Sequence, residues 1–119
     1  MLHLILVCKY RKPLLVDLGI DIKNLIYEIA EEQDFGILEM EVDTDHIHIL
    51  LEYNLAQSVL KIVRLLKQIS TYRIWRSKHK ANLKKEFWKE RTFWGDGYFA
   101  CSIGQVSRET IEKYIQTQG

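Results

Sequence analysis

The chain has 119 residues, 47% of them hydrophobic and 28% charged, which suits one domain around one core. That composition excludes a disordered, fibrous or disulfide-scaffold protein, and no apolar run approaches the roughly 20 residues of a membrane span. The net charge of +1 hides an asymmetry. Residues 1–60 hold 4 Lys/Arg against 11 Asp/Glu, a net of −7, and residues 61–119 hold 13 against 5, a net of +8.

Leu2 to Val7 reads as a buried strand. It lacks the basic leader and small-residue cleavage site of a signal peptide, so a cytoplasmic protein is expected. Ile22, Leu25, Ile26, Ile29 and Ala30 recur at helical spacing, which predicts a helix over roughly 17–33, stopped by Phe35-Gly36. Residues 37–42 and 46–53 are two strands joined at the short, turn-forming Asp43-Thr44-Asp45, hence a hairpin. Ser58 is a candidate N-cap for a second helix running to about Ser77, with Val59, Ile62, Val63, Leu66 and Ile69 as its inner stripe. Residues 81–91 are basic and aromatic without a clear period. Residues 97–103 form a fourth strand. Gly104-Gln105-Val106 is a short connector, and Ser107 caps a last helix to about Gln118.

The order β-α-β-β-α-β-α predicts an α+β, ferredoxin-like sandwich: a four-stranded antiparallel sheet under two helices. One sheet face is left bare, with the C-terminal helix available to cover it. A single domain spans residues 1–119. Cys8 and Cys101 have no zinc spacing and read as reduced core thiols.

Two constellations and one surface could carry chemistry. Strand side chains alternate, so His46 and His48 share one face and Ile47 takes the other. Two imidazoles so placed can ligate one metal ion, and they equally fit two partly exposed strand histidines. Tyr114 and Gln118 are one turn apart on the last helix, a spacing that a docking tyrosine and a terminal glutamine would also show. The stretch from Lys61 to Arg91 holds 11 basic and 2 acidic residues. Its cations, interleaved with Tyr72, Trp75, Phe87, Trp88, Phe93 and Trp94 in and just beyond it, suit phosphates and unpaired bases, or a solvated helix face over core aromatics.

The chain resembles the single-tyrosine HUH transposases of small hairpin-ended insertion sequences, which move as single-stranded DNA. The resemblance rests on His46-Ile47-His48, on Lys9-Tyr10-Arg11-Lys12 after the first strand, and on Val63 to Tyr72. It rests also on Phe93-Trp94-Gly95-Asp96-Gly97-Tyr98-Phe99 and Lys113-Tyr114-Ile115-Gln116-Thr117-Gln118. These stretches follow in order over nearly the whole chain. Gln68 stands where the family has glycine, and Thr44 where proline often precedes the HUH segment.

What the resemblance implies is a metal-dependent DNA strand transferase. His46, His48 and Gln118 would hold Mg²⁺ or Mn²⁺, and Tyr114 would be the nucleophile that forms a 5′-phosphotyrosine. Glu52, on the His face by parity, is a rival third ligand, and Asp45 could also reach the metal or orient a histidine. The family likeness also implies a homodimer with a shared active site. Lys9, Arg11, Lys12, Arg64, Lys67 and Arg73 are the candidates for contacting hairpin-bearing single-stranded DNA. A replication-initiator or relaxase nickase, a domesticated repeat-processing relative, and a non-catalytic ferredoxin-like nucleic-acid-binding module are the competing readings.

Overall fold

The structure, a computed structural model, describes residues 1–103. The Gly104-Gln105-Val106 connector and the expected last helix, with Tyr114 and Gln118, lie outside the described residues.

Strand β1 (Leu2–Val7) leads through a short 3-10 turn (Lys9–Arg11) into α1 (Leu15–Gln33). Next come β2 (Gly36–Val42), β3 (His46–Glu52), α2 (Val59–Trp75), α3 (Lys80–Phe87) and β4 (Phe99–Ser102). The sheet order is β2-β3-β1-β4, every neighbouring pair antiparallel. This is the ferredoxin-like arrangement expected from the element order, with α3 added between α2 and β4. The fourth strand is shorter than expected because residues 95–97 are held in a loop.

Alternation within the strands decides which side chains meet the helices. Leu2, Leu4 and Leu6 of β1 and Ile47, Ile49 and Leu51 of β3 lie in one core, with Leu18, Ile22, Ile26 and Ile29 of α1 and Ile62, Val63, Leu66 and Ile74 of α2. Antiparallel pairing places Leu4 opposite Ile49 and Ile5 opposite His48. Helix α1 begins two residues earlier than its apolar spacing predicts and ends where Asp34 takes a left-handed conformation (φ 61°), its N–H capping Ala30. Ser58 does cap α2, accepting a hydrogen bond from the Lys61 N–H at 3.1 Å. That satisfies one of the orphan donors at a helix start.

Burial corrects two expectations. Trp75, Phe87, Phe93 and Trp94 are core residues, whereas Tyr72 and Trp88 are exposed, so most of the basic segment's rings cannot meet a nucleic acid. Each buried indole has a partner. Trp75 Nε1 donates to the Thr92 carbonyl at 2.9 Å, and Trp94 Nε1 donates to Ser70 Oγ at 2.9 Å. Of the two thiols, Cys8 is buried and Cys101 is exposed on the edge strand. The sheet face away from α1 and α2, expected to be available to the last helix, is buried at its centre. Leu50 is buried under Met1, Leu38 and Ile103, and His3 and His48 are buried beside it.

Residues 93–97 lock the loop before β4 to the end of β1. Gly95 donates its N–H to the Val7 carbonyl at 2.7 Å, and a Cβ there would stand only 3.3 Å from that same oxygen. Lys67 Nζ then bonds the carbonyls of Gly95 (2.7 Å), Asp96 (3.2 Å) and Gly97 (2.9 Å).

Candidate active site

β3 carries His46 and His48 two residues apart, and their ring centroids are 4.9 Å from each other. The two rings are held differently. His46 is half-buried at the hairpin end, and its Nδ1 lies 2.7 Å from Asp45 Oδ1. The other oxygen of Asp45 lies 3.4 Å from Arg11 Nε. The hydrogen bond to His46 holds the Asp45 carboxyl below the usual carboxylate range, helped by the nearby positive charge of Arg11. Nε2 of His46 is 3.9 Å from Asp43 Oδ2.

His48 is 2% exposed. Its Nδ1 lies 3.3 Å from Nε2 of His3, a buried residue of β1. Its own Nε2 has no hydrogen-bond partner among the described residues. Burial, then the neighbouring His46 and His3, pushes its pKa below the ordinary histidine value. A neutral imidazole is therefore the form present at neutral pH, and that is the form that ligates metals.

In both histidines Nδ1 is occupied and Nε2 is available on one sheet face. This is the usual design of a histidine metal site, in which the second nitrogen is oriented by a carboxylate or another acceptor. The orphaned buried Nε2 of His48 is the observation that fits a metal ion, since an unpartnered buried polar atom is otherwise a cost. Among the described residues no group of three His, Cys, Asp or Glu could hold the ion. The two histidines thus need a further ligand, and Gln118 lies outside the described residues. Glu52 sits four residues along β3 from His48, roughly 13 Å away at the rise of a strand, and is exposed; distance argues against it. Asp45 serves His46 rather than standing in for it.

The six cations nominated for DNA are mostly engaged. Lys9 pairs with Asp96 at 3.0 Å, Lys12 with Glu86 at 3.2 Å and Arg73 with Glu32 at 2.7 Å. Lys67 spends its three donors on the loop carbonyls described above. Arg11 is exposed beyond its contact with Asp45. Its conformation is left-handed (φ 52°), as is that of Tyr10 (φ 59°). Such backbone is strained in non-glycine residues and clusters at functional sites. Only Arg64 is exposed with no ion pair among the described residues.

The sequence reading missed a groove at the end of α2. Tyr72, 63% exposed, lies under the Arg76 guanidinium at 5.2 Å, and Arg91 stands 5.8 Å from the Trp75 ring. These residues line a cleft of about 240 Å³, which continues into a second of about 270 Å³ that adds Lys80. None of the three cations pairs with a carboxylate among the described residues. Their charge was visible in the sequence, but their convergence depends on the loop that returns Arg91 to α2.

Comparison with known proteins agrees with this architecture. The profile of the family described as "Transposase IS200 like" matches residues 1–118. The ISDra2 transposase TnpA of Deinococcus radiodurans is 31% identical over 117 residues, covering 98% of this chain and 81% of that protein. The transposase of insertion sequence element IS200 from Salmonella typhimurium is 28% identical, covering 98% and 74%. Among solved structures, a Deinococcus radiodurans transposase superposes with a TM-score of 0.77 at 28% identity, covering 98% of this chain and 88% of that one. A REP-associated tyrosine transposase bound to a REP hairpin shares the fold, with a TM-score of 0.65 at 13% identity, covering 96% and 61%. No helix among the described residues is long and apolar enough to cross a membrane.

Proposed function

Because the chain belongs to the IS200-like transposase family, whose members cleave and transfer DNA strands, we propose that it acts on single-stranded DNA at the hairpin-bearing ends of an insertion sequence. The nucleophile in this reading is Tyr114. Its phenol oxygen attacks the scissile phosphorus, the P–O3′ bond breaks, and the 3′ oxygen leaves as a hydroxyl once protonated. The product is a 5′-phosphotyrosine, which conserves the energy of the phosphodiester. Attack by another strand's 3′-OH reverses the step, restores the tyrosine and needs no nucleotide cofactor.

The observation that carries this reading is the pair of imidazoles with Nδ1 occupied and Nε2 available on one face. His46 and His48 would hold a divalent ion, Mg²⁺ or Mn²⁺, with Gln118 as third ligand. The ion, when bound, neutralises charge on the scissile phosphate. Nitrogen donors suit Mn²⁺ better than the oxygen-preferring Mg²⁺. Asp45 orients His46, and Arg11, on the far side of Asp45, is the exposed cation beside the site that could meet the DNA backbone.

The groove of Tyr72, Trp75, Arg76, Lys80 and Arg91, with Arg64 on the same helix, would dock the hairpin or its adjoining single strand, the exposed Tyr72 ring meeting a base and the cations phosphates. Two copies of the chain would assemble as a homodimer in which Tyr114 of one completes the histidine pair of the other. A non-catalytic binding module is disfavoured, because such modules stack bases on sheet aromatics, and this sheet face presents buried histidines at its centre.

The test is adduct formation. A labelled hairpin-bearing single strand should migrate with the wild-type protein on a denaturing gel in the presence of Mn²⁺, and not with Tyr114→Phe. An adduct formed by Tyr114→Phe would remove Tyr114 as nucleophile. His46→Ala and His48→Ala should each abolish the adduct and lose Mn²⁺ heat in calorimetry; wild-type Mn²⁺ affinity in both would remove the metal site.

A further inference from the structure

Two buried histidines touch on this sheet face, and only one of them belongs to the proposed metal pair. His3 is completely buried. Its ring lies nearly parallel to that of His48, 17° between planes and 5.5 Å between centroids. Phe99 of β4 meets it edge-on at 6.3 Å. His3 Nε2 stands 3.3 Å from His48 Nδ1. Two nitrogens at that distance share one proton-bearing hydrogen bond, and a neutral imidazole carries its single proton on one nitrogen only. The direction of this bond therefore decides what His48 offers at its other nitrogen.

If His48 donates from Nδ1, its Nε2 carries a lone pair and is a ligand. If His3 donates instead, His48 must carry its proton on Nε2, which cannot then bind a metal. Either direction leaves one buried N–H to place, on His48 Nε2 or on His3 Nδ1, so it is metal binding at His48 Nε2 that selects the first. The contact is set by strand register. His3 lies opposite Leu50 and Ile5 opposite His48, which makes His3 and His48 diagonal neighbours on one face.

We propose that His3 is a positioning residue for the metal centre: its Nε2 accepts the Nδ1 proton of His48 and so fixes the tautomer and ring orientation in which His48 Nε2 is free to bind a divalent cation. His3 then plays for His48 the part that Asp45 plays for His46. One ligand is oriented by a carboxylate at the rim, the other by a neutral acceptor in the buried interior, where an unpaired carboxylate would be costly. The inference rests on the metal reading of His46 and His48.

The experiment has two readouts. Long-range ¹H–¹⁵N correlation spectra of the metal-free wild-type protein, with His48 assigned by loss of its signals in His48→Gln, should show His48 protonated at Nδ1. Mn²⁺ titration calorimetry is then compared across His3→Phe, which keeps a ring and lacks the acceptor, and His3→Gln, whose Oε1 can reach the place of Nε2. Loss of an orienting partner of a metal ligand typically costs 10–100-fold in affinity. His3→Phe should weaken Mn²⁺ binding by about tenfold or more, and His3→Gln should restore most of it. A His48 protonated at Nε2 in the wild type overturns the proposal, and so does a folded His3→Phe with wild-type affinity. If His3→Phe fails to fold, the tautomer spectrum and the His3→Gln affinity decide. A wild-type protein that binds no Mn²⁺ overturns the metal reading itself; the metal-free spectrum tells that failure apart from a wrong role for His3.

Discussion

Oδ1 of Asp45 lies 2.7 Å from Nδ1 of His46, while its other oxygen lies 3.4 Å from Arg11 Nε. The carboxylate holds the His46 ring by Nδ1, leaving Nε2 as its other nitrogen, and it couples that ring to an exposed cation. Removing it should loosen the ligand without opening the core, because Asp45 sits at the rim. Asp45→Ala is expected to weaken Mn²⁺ binding about 10–100-fold, with Asp45→Asn falling between it and the wild type, since its amide oxygen still accepts. Calorimetric titration checks the order; equal affinities for all three would show that Asp45 does not orient the ligand.

How much of this was legible beforehand follows from which contacts are local. Alternation along β3 placed His46 and His48 on one face, because a period of two is a local property. Ser58 was legible as a cap for the same reason. His3 was not. It stands inside the apolar run Leu2-His3-Leu4-Ile5-Leu6-Val7, and nothing along the chain ties it to His48, 45 residues away; the tie is the antiparallel register of β1 with β3. The burial of Trp75 and Trp94 was hidden by the lysines and arginines around them. Each indole needs a particular acceptor, Thr92 O or Ser70 Oγ, that only the folded chain supplies.

Ser70 makes a second prediction. It is completely buried, donates to the Leu66 carbonyl at 2.5 Å and accepts from Trp94 Nε1. Ser70→Ala leaves a buried indole N–H without its acceptor. The expected loss of stability is about 1–3 kcal/mol, read from urea unfolding followed by tryptophan fluorescence. Trp94→Phe combined with Ser70→Ala should cost less than the sum of the two single changes, because the stranded donor is gone. Strict additivity would mean that the hydrogen bond contributes nothing.

A third prediction concerns pH. The Asp21 carboxyl of α1 bonds the His79 ring at the start of α3, and that hydrogen bond holds its pKa below the ordinary carboxylate value. A carboxyl depressed on folding adds stability at pH values above its unfolded pKa of about 3.9. That stability is lost as pH falls from there through the lower folded value. Asp21→Asn should therefore lower the urea midpoint at pH 6 and leave it close to wild type at pH 2.5. A constant difference across that range would show that the carboxylate form is not what matters.

The last prediction separates two kinds of lysine and arginine. Lys67 holds the carbonyls of residues 95–97, and burial lowers its pKa, so its charge is spent inside the protein. Arg76, Lys80 and Arg91 are exposed around Tyr72 and Trp75 and have no carboxylate partner among the described residues. Each phosphate contact contributes roughly 0.7–0.9 to the slope of log affinity against log salt concentration. Arg76→Ala and Arg91→Ala should each weaken binding of a hairpin-bearing single strand and flatten that slope. Tyr72→Ala should weaken it by about 1–3 kcal/mol with the slope unchanged, as expected for a lost stacking platform. Lys67→Met should instead lower the unfolding midpoint and leave the slope as in the wild type. Fluorescence anisotropy at several salt concentrations, beside a thermal melt, reads all four. If Lys67→Met flattens the slope and the groove variants do not, the DNA runs over the β4 loop and not over the end of α2.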